Sequence, residues 1–277
     1  MEWNLSKIPK TLHTYWAGDK LSYMRYLTIK SFVHLNPDWK VTVWMPQRTA
    51  EKRTWTTDHN AYEVECEDYY NKLWDLPVRK YAVDFTRYGF DATSEIHRSD
   101  FLRMYLLYTL GGVWSDMDII YFKPMTSLAV NTPENKDKET FVCMRNHSAY
   151  IHSGGFLMSA IGSAYFGSLL EKVKAEYNPL VYQCIGVDMY NKYFPKFENV
   201  EAVSPAVNIE MDAVYAHDAL HVKGMLGNGT PMFTDKSIGI HWYAGNTLWK
   251  DFIKSTNGGL ENIPDCIIGD VIKLYKL

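Results

Sequence analysis

Residues 94–122 read SEIHRSDFLRMYLLYTLGGVWSDMDIIYF, a helical pattern that passes through two glycines into an apolar run carrying two aspartates. Ser94 is placed to cap the helix start, Phe101, Leu102, Tyr105 and Leu106 form an apolar stripe at helical spacing, and Gly111 is a natural stop. A helix is therefore expected from Ser94 to the glycines, with a strand, VWSDMDIIYF, directly after it. In an extended chain, side chains two apart share a face, so Trp114, Asp116, Asp118 and Ile120 are expected on one side of that strand. Two carboxylates held together in an apolar segment are costly unless a cation neutralises them. Hard oxygen ligands suit Mg2+ or Mn2+ rather than zinc, and substrate phosphates commonly fill the open positions of such an ion. The plain alternative is a strand end at which both acids reach water.

One helix upstream, Asp100 and Arg103 are spaced i, i+3 and share a helical face, with His97 one turn earlier. Because the helix turns straight into the Asp-x-Asp strand, that polar face is expected to come near the two acids. The alternative is an ordinary surface ion pair, which contributes little.

The rest of the chain sets the frame. With 277 residues and 47% hydrophobic content the chain can bury a large core. The balance of 29 Lys+Arg against 32 Asp+Glu, net charge -3, argues against a nucleic-acid partner held by bulk electrostatics. Cys66, Cys143, Cys184 and Cys266 lie far apart without C-x-x-C spacing, so free thiols in a reducing compartment are expected rather than a zinc knuckle or a disulfide framework. MEWNLSKIPK lacks the features of a signal peptide and no stretch approaches the ~20 apolar residues of a membrane span. The expected location is cytoplasmic. Strands are expected at KTLHTYWAG, VTVWMP, TFVCMRN, GGFLMSA and SIGIHWY, with helices at SYMRYLTIKSFVHLNPD and SAYFGSLLEKVKAEY. Residues 49–93 show no clean period, and short helices and loops are expected there; 131–139 reads as a surface loop. The alternation of strands and helices argues an α/β fold with a largely parallel sheet.

HRSDFLRMYLLYTLGGVWSDMDI resembles the signature of glycosyltransferases with a DXD-containing sugar-binding region, a group that includes fungal α-mannosyltransferases, bacterial capsule and lipopolysaccharide enzymes and, more distantly, clostridial glucosylating toxins. The resemblance rests on Ser99, Asp100, Arg103, Gly111, Gly112, Trp114, Asp116 and Asp118. The opening IPKTLHTYWAG is similar to the family's first strand through Ile8, Pro9, Lys10, His13 and Trp16, and GIHWYAGNTLW at 239–249 is similar to its His-x-x-x-Gly-Ser-Trp ending. Two departures stand out: extra residues precede Trp249, and CIGVDM at 184–189 replaces a Thr-Gly-Pro.

The resemblance implies a GT-A fold: an α/β domain over 1–277 with a Rossmann-like nucleotide-binding half at about 1–125, an acceptor half at about 126–277, and a mixed central sheet flanked by helices. It implies a metal-dependent hexosyltransferase that moves a sugar from a nucleotide-sugar donor, expected to be a UDP-sugar, to a glycan or lipid-linked glycan acceptor in polysaccharide biosynthesis, with retention of anomeric configuration. Asp116, Asp118 and His241 would hold Mn2+ or Mg2+. Trp16 would stack on the base, with Tyr15, Trp114, Ser115 and Asp116 also on the donor side. Asp100 and Arg103 would hold donor-sugar hydroxyls. Asn246 or Thr247, and Trp249, would meet the β-phosphate, and HSGGFLMSA keeps the small residues expected beside a sugar. Catalysis is thus expected from Asp100, Arg103, Asp116 and Asp118. No nucleophile is named; Asp188 and Asp212 are candidates for assisting the acceptor or plain surface acids. Competing readings are a catalytically silent sugar-binding protein whose acids hold Ca2+, and a phosphohydrolase of the D-x-D-x-[TV] type, which Ile120 does not fit. Peripheral membrane association stays open.

Overall fold

The computed structural model describes residues 2–50, 66–90, 93–145, 152–215, 233–256 and 262–274. Strand β1 (Thr11–Tyr15) leads into helix α1 (Tyr23–Leu35), and β2 (Lys40–Pro46) returns parallel to β1. Ser22 caps α1 by accepting from the Arg25 N–H, and the helix stops at Asn36, ahead of Pro37. The Asn36 side chain donates to the Phe32 carbonyl and accepts from the Met125 N–H, so the helix end is closed in place of the missing backbone bonds.

After the short helix α2 (Tyr70–Leu73), β3 (Val78–Val83) lies parallel beside β2. The expectation of only short helices and loops in 49–93 is corrected here. VRKYAV forms the outer strand of the sheet and most of its side chains are exposed, so no apolar alternation marks it. Residues 51–65 within that interval lie outside the described residues.

Helix α3 (Glu95–Thr109) starts at Ser94, whose hydroxyl accepts from the His97 N–H, and β4 (Gly112–Ser115) follows within a few residues. Gly111 and Gly112 adopt φ of +63° and +94°, a region that L side chains rarely enter. A Cβ on Gly112 would also stand 2.6 Å from the Thr11 carbonyl oxygen, so the strand can reach β1 only as glycine. His13 on β1 locks this junction: its Nε2 bonds the Gly111 carbonyl at 3.0 Å, and its Nδ1 accepts from the Trp44 indole at 3.2 Å. One ring nitrogen donates and the other accepts, which fixes the neutral tautomer.

The strand expected to run on to Phe122 breaks. β4 ends at Ser115, residues 116–118 turn, and β5 (Ile119–Tyr121) pairs with β9 (Gly239–His241) in a separate two-stranded sheet. The two-residue periodicity that put Asp116 and Asp118 on one face of one strand therefore does not describe this segment. The two aspartates occupy the step between two sheets.

The remaining elements are β6 (Thr140–Met144), β7 (His152–Ser159), α4 (Ala164–Glu176), α5 (Val187–Tyr193), α6 (Phe197–Glu201), β8 (Ala206–Ile209), α7 (Thr247–Ser255) and α8 (Ile267–Lys273). The main sheet has seven strands in the order β3-β2-β1-β4-β7-β6-β8. β3, β2, β1 and β4 are parallel; β7 runs antiparallel to both β4 and β6, while β8 is parallel to β6. The sheet is mixed, as the resemblance implies, with four of its six strand pairings parallel. Its faces bury separate cores: Leu12, Val41, Val113 and Phe156 pack on one side with α1, and Trp44, Trp114, Val142 and Leu157 on the other with α3 and α4. Among the described residues the four cysteines are free, and no helix is long and apolar enough to cross a membrane.

Candidate active site at the step between the two sheets

β4 delivers Asp116 to its own C-terminal end, in the middle of the main sheet. Its N–H still bonds the Gly155 carbonyl on β7 at 2.8 Å. The chain then crosses to the small sheet, where the Trp242 N–H bonds the Asp118 carbonyl at 2.9 Å. His241, at the end of β9, comes to the same place. Ligand atoms of Asp116, Asp118 and His241 lie within 4.8 Å of one another. Two carboxylates and an imidazole form a donor set that suits a divalent ion such as Mn2+.

Each acid is held by named donors. Asp116 Oδ1 accepts from the Trp114 indole at 2.7 Å and from Arg103 Nη2 at 3.2 Å. Its Oδ2 faces the bare Cα of Gly155 on the side of His241. Asp118 Oδ1 is 3.0 Å from His241 Nε2, and Oδ2 accepts from the Ala244 N–H at 3.0 Å. Burial acts to raise the Asp118 carboxyl, but His241, Arg25 and the Ala244 N–H outweigh it and hold the group down at about 2. This carboxyl stays an anion at any ordinary pH.

Asp100 and Arg103, one turn apart on α3, form a buried pair at 3.3 Å directly behind Asp116. Burial pushes the Asp100 carboxyl up to about 6 against the pull of Arg103. Burial works against the Arg103 charge, yet Asp116 and Asp100 hold it above its usual value. Among the described residues, Asp100 Oδ2 and Arg103 Nε are buried without a hydrogen-bond partner. Burying two polar atoms unpaired is unfavourable, so this pair is the polar interior of the site rather than an ordinary surface ion pair. Glycines make the room: a Cβ on Gly154 would fall 2.1 Å from Arg103 Nη1, and one on Gly186 2.7 Å from Asp100 Oδ2. Gly154 lies inside β7, and its bare Cα leaves Arg103 its place.

The other expected donor-side residues divide. Trp114 is fully buried; its ring packs under Arg103 at 5.3 Å and its N–H holds Asp116. Ser115 is buried too, with its hydroxyl between the Asp116 carbonyl and the Tyr121 phenol. Tyr15 turns away into the core behind β1, where its ring meets Phe85 and its hydroxyl bonds Glu95. Trp16 is 8% exposed. The Arg25 guanidinium lies over it at 4.6 Å, and the Gly18 backbone lies close to the indole, since a Cβ there would stand 2.9 Å from a ring carbon. Asn246 caps α7 by accepting from the Leu248 N–H, and Trp249 is fully buried against Trp242 and Phe252. The Thr247 side chain lies outside the described residues. Asp188 is exposed in the first turn of α5, close enough to act on Asp100 through its charge, whereas Asp212 accepts from the Thr234 hydroxyl.

Several site residues escaped the sequence reading. Arg25 reaches the Asp-x-Asp turn from α1, with Nη1 3.4 Å from the Met117 carbonyl. Tyr215 and Tyr243 both pack on His241, at ring separations of 5.1 and 4.1 Å. Tyr243 has φ of 53°, the single positive value among described non-glycine residues, so the backbone bends sharply between His241 and Ala244. None of these carries a local pattern; only GGF at 154–156 and the glycine of CIGVDM hinted that space was needed.

Residues 24–137 match a family model described as a glycosyltransferase sugar-binding region containing a DXD motif. Inositol phosphoceramide mannosyltransferase 1 of Schizosaccharomyces pombe is 28% identical over 127 residues, 45% of this chain and 32% of that protein. The chain thus spans about a third of the length of that curated relative. Among solved structures, the glycosyltransferase GlyE of Streptococcus pneumoniae TIGR4 gives a TM-score of 0.54 at 11% identity, covering 98% of this chain and 60% of that one. At that identity the likeness concerns the fold alone. Residues 24–137, which hold Asp100, Arg103, Asp116 and Asp118, are thus similar to the glycosyltransferase sugar-binding regions that contain a DXD motif, and the fold is that of the GT-A glycosyltransferases.

Proposed function

We propose that the chain is a metal-dependent glycosyltransferase that moves a sugar from a nucleotide-sugar donor, a UDP-sugar in the first instance, to a glycan or lipid-linked glycan acceptor. The observation that carries this reading is the contact between two half-sites: the Asp116–Asp118–His241 cluster and the buried Asp100–Arg103 pair meet through the 3.2 Å bond from Arg103 to Asp116. Asp116, Asp118 and His241 hold the ion, Mn2+ or Mg2+. When bound, it acts as a Lewis acid on the diphosphate that departs from the anomeric carbon. Asp100 and Arg103 take the donor-sugar hydroxyls and fix the ring, so that the anomeric carbon is oriented before reaction. Trp16, with Arg25 lying on it, marks the base side. One domain spans the chain, its donor half at about 1–125 and its acceptor half at about 126–277. Retention by front-face attack needs no enzymic nucleophile, and none is assigned.

The test is a calorimetric titration with UDP and with GDP, each with and without Mn2+, on the wild type and on Asp118→Ala. GDP is included because the curated relative is a mannosyltransferase. Binding of one nucleotide that requires Mn2+ and drops at least tenfold in the variant is expected. If neither nucleotide binds, or if Asp118→Ala binds like wild type in a folded protein, the transferase reading fails.

A further inference from the structure

Tyr215, which the sequence did not mark, meets Asp116 and His241 at Gly155. A Cβ built on Gly155 would stand 2.9 Å from the Tyr215 hydroxyl, 3.2 Å from Asp116 Oδ2 and 3.2 Å from His241 Nε2. Three polar atoms from three different segments therefore lean over one bare Cα, and two of them belong to the candidate metal cluster. The third, the Tyr215 phenol, arrives from the residues after β8, where Tyr215 bridges to Ile240 beside His241.

Tyr215 is not merely filling space. Its phenol oxygen accepts from the Ser153 hydroxyl on β7. With Ser153 donating, the phenol keeps a hydrogen of its own to give, and the polar atoms that pack with it against Gly155 are Asp116 Oδ2 and His241 Nε2. An ordinary tyrosine phenol is a neutral donor at neutral pH. A neutral O–H aimed beside two metal-ligating side chains can donate to an oxygen held on the same ion, and such a bond to an anionic oxygen is stronger than one to a neutral group. It would strengthen further as negative charge gathers on that oxygen during bond cleavage.

We propose that Tyr215 is a donor-diphosphate residue: its phenol, oriented by Ser153, hydrogen-bonds a phosphate oxygen of the bound nucleotide diphosphate beside Asp116 and His241. The proposal rests on the metal-dependent transferase reading. Gly155 is required because any side chain would collide with the phenol, Asp116 Oδ2 and His241 Nε2 together and push them apart. The sugar bond still breaks toward the diphosphate; the phenol keeps its proton and lowers the barrier by hydrogen bonding alone.

The experiment compares wild type, Tyr215→Phe and Ser153→Ala, with thermal melting to confirm that each is folded. Phenylalanine keeps the ring against His241 and removes only the hydroxyl; alanine at 153 keeps the phenol and removes its anchor. Affinities are measured for Mn2+ alone, and for the nucleoside diphosphate and the matching monophosphate, UDP with UMP and GDP with GMP, in saturating Mn2+. The expected result for Tyr215→Phe is unchanged Mn2+ affinity, a roughly tenfold loss for the diphosphate and less than twofold for the monophosphate, with Ser153→Ala in the same direction but weaker. Equal losses for diphosphate and monophosphate, an unchanged diphosphate affinity, or a loss explained by weakened Mn2+ binding would each overturn the proposal while leaving the transferase reading intact. Failure of the wild type to bind any nucleotide with Mn2+ removes that reading and this proposal together.

Discussion

Gly154 and Gly155 hold no side chain, and the site depends on that. Overpacking in a tight site costs about 1–3 kcal/mol because something must move. At Gly154 the atom to move is Arg103 Nη1, which an added methyl would meet at 2.1 Å. At Gly155 the methyl would meet the Tyr215 hydroxyl at 2.9 Å and Asp116 Oδ2 and His241 Nε2, each at 3.2 Å. The two alanine variants should therefore fail differently. Gly155→Ala is expected to weaken Mn2+ binding at least tenfold, whereas Gly154→Ala should spare Mn2+ affinity and raise the KM for the nucleotide-sugar. Metal titration and steady-state kinetics on the folded variants check this; identical profiles for both would sink the division of the site into a metal half and a sugar half. Trp114 shows the same economy, since its indole N–H is spent on Asp116 at 2.7 Å rather than on a ligand. The i, i+2 spacing of Trp114 and Asp116 was visible in the sequence, but not that one would serve the other.

Helix α3 and the start of β4 were legible because their signals are local: a capping serine, an apolar stripe, two glycines. Ser94 does cap, accepting from the His97 N–H at 3.2 Å. What followed was not legible. The run VWSDMDIIYF looks like one strand because both halves are apolar, yet β5 leaves the main sheet to pair with β9, more than a hundred residues later in the chain. Only that distant partner breaks the strand, and no local periodicity records it. The cap and the glycine junction should also differ in weight. Ser94→Ala removes one capping bond and is expected to cost about 1 kcal/mol. Gly112→Ala must hold an L side chain at φ +94° with its Cβ 2.6 Å from the Thr11 carbonyl, so a loss of roughly 3 kcal/mol or more is expected. Urea midpoints at constant m-value measure both. Equal shifts would mean that β1 and β4 can separate at this junction without penalty.

At the scale of the molecule, the α/β class followed from alternating elements, but strand direction did not, because β7 reads as apolar whichever way it runs between β4 and β6. The consequence of that sheet is a set of buried histidines whose chemistry is set by the whole fold. Burial lowers His13 to about 4 against its bond to the Gly111 carbonyl, and lowers His152 to about 4 against its bond to the Phe194 carbonyl. Both side chains stay neutral when folded and take up protons near the ordinary value of 6.5 once unfolded. Between those values the unfolded chain binds more protons, so stability falls as pH falls, by roughly 3 kcal/mol for each histidine over the whole window. Asp100 acts in the opposite sense: raised to about 6, it binds a proton in the folded state first, which adds roughly 3 kcal/mol as pH drops from 6 toward 3.8. The histidines outnumber it, so the metal-free protein is expected to lose stability overall from pH 6.5 to 4.5. Asp118, held near 2, adds its own loss only below 3.8, outside that window. Replacing Asp100 with Asn removes the opposing contribution and should steepen the fall between pH 6 and 4.5. Urea midpoints across this range test both statements; a midpoint that is flat or rises on acidification would mean that His13 and His152 take up protons within the folded sheet.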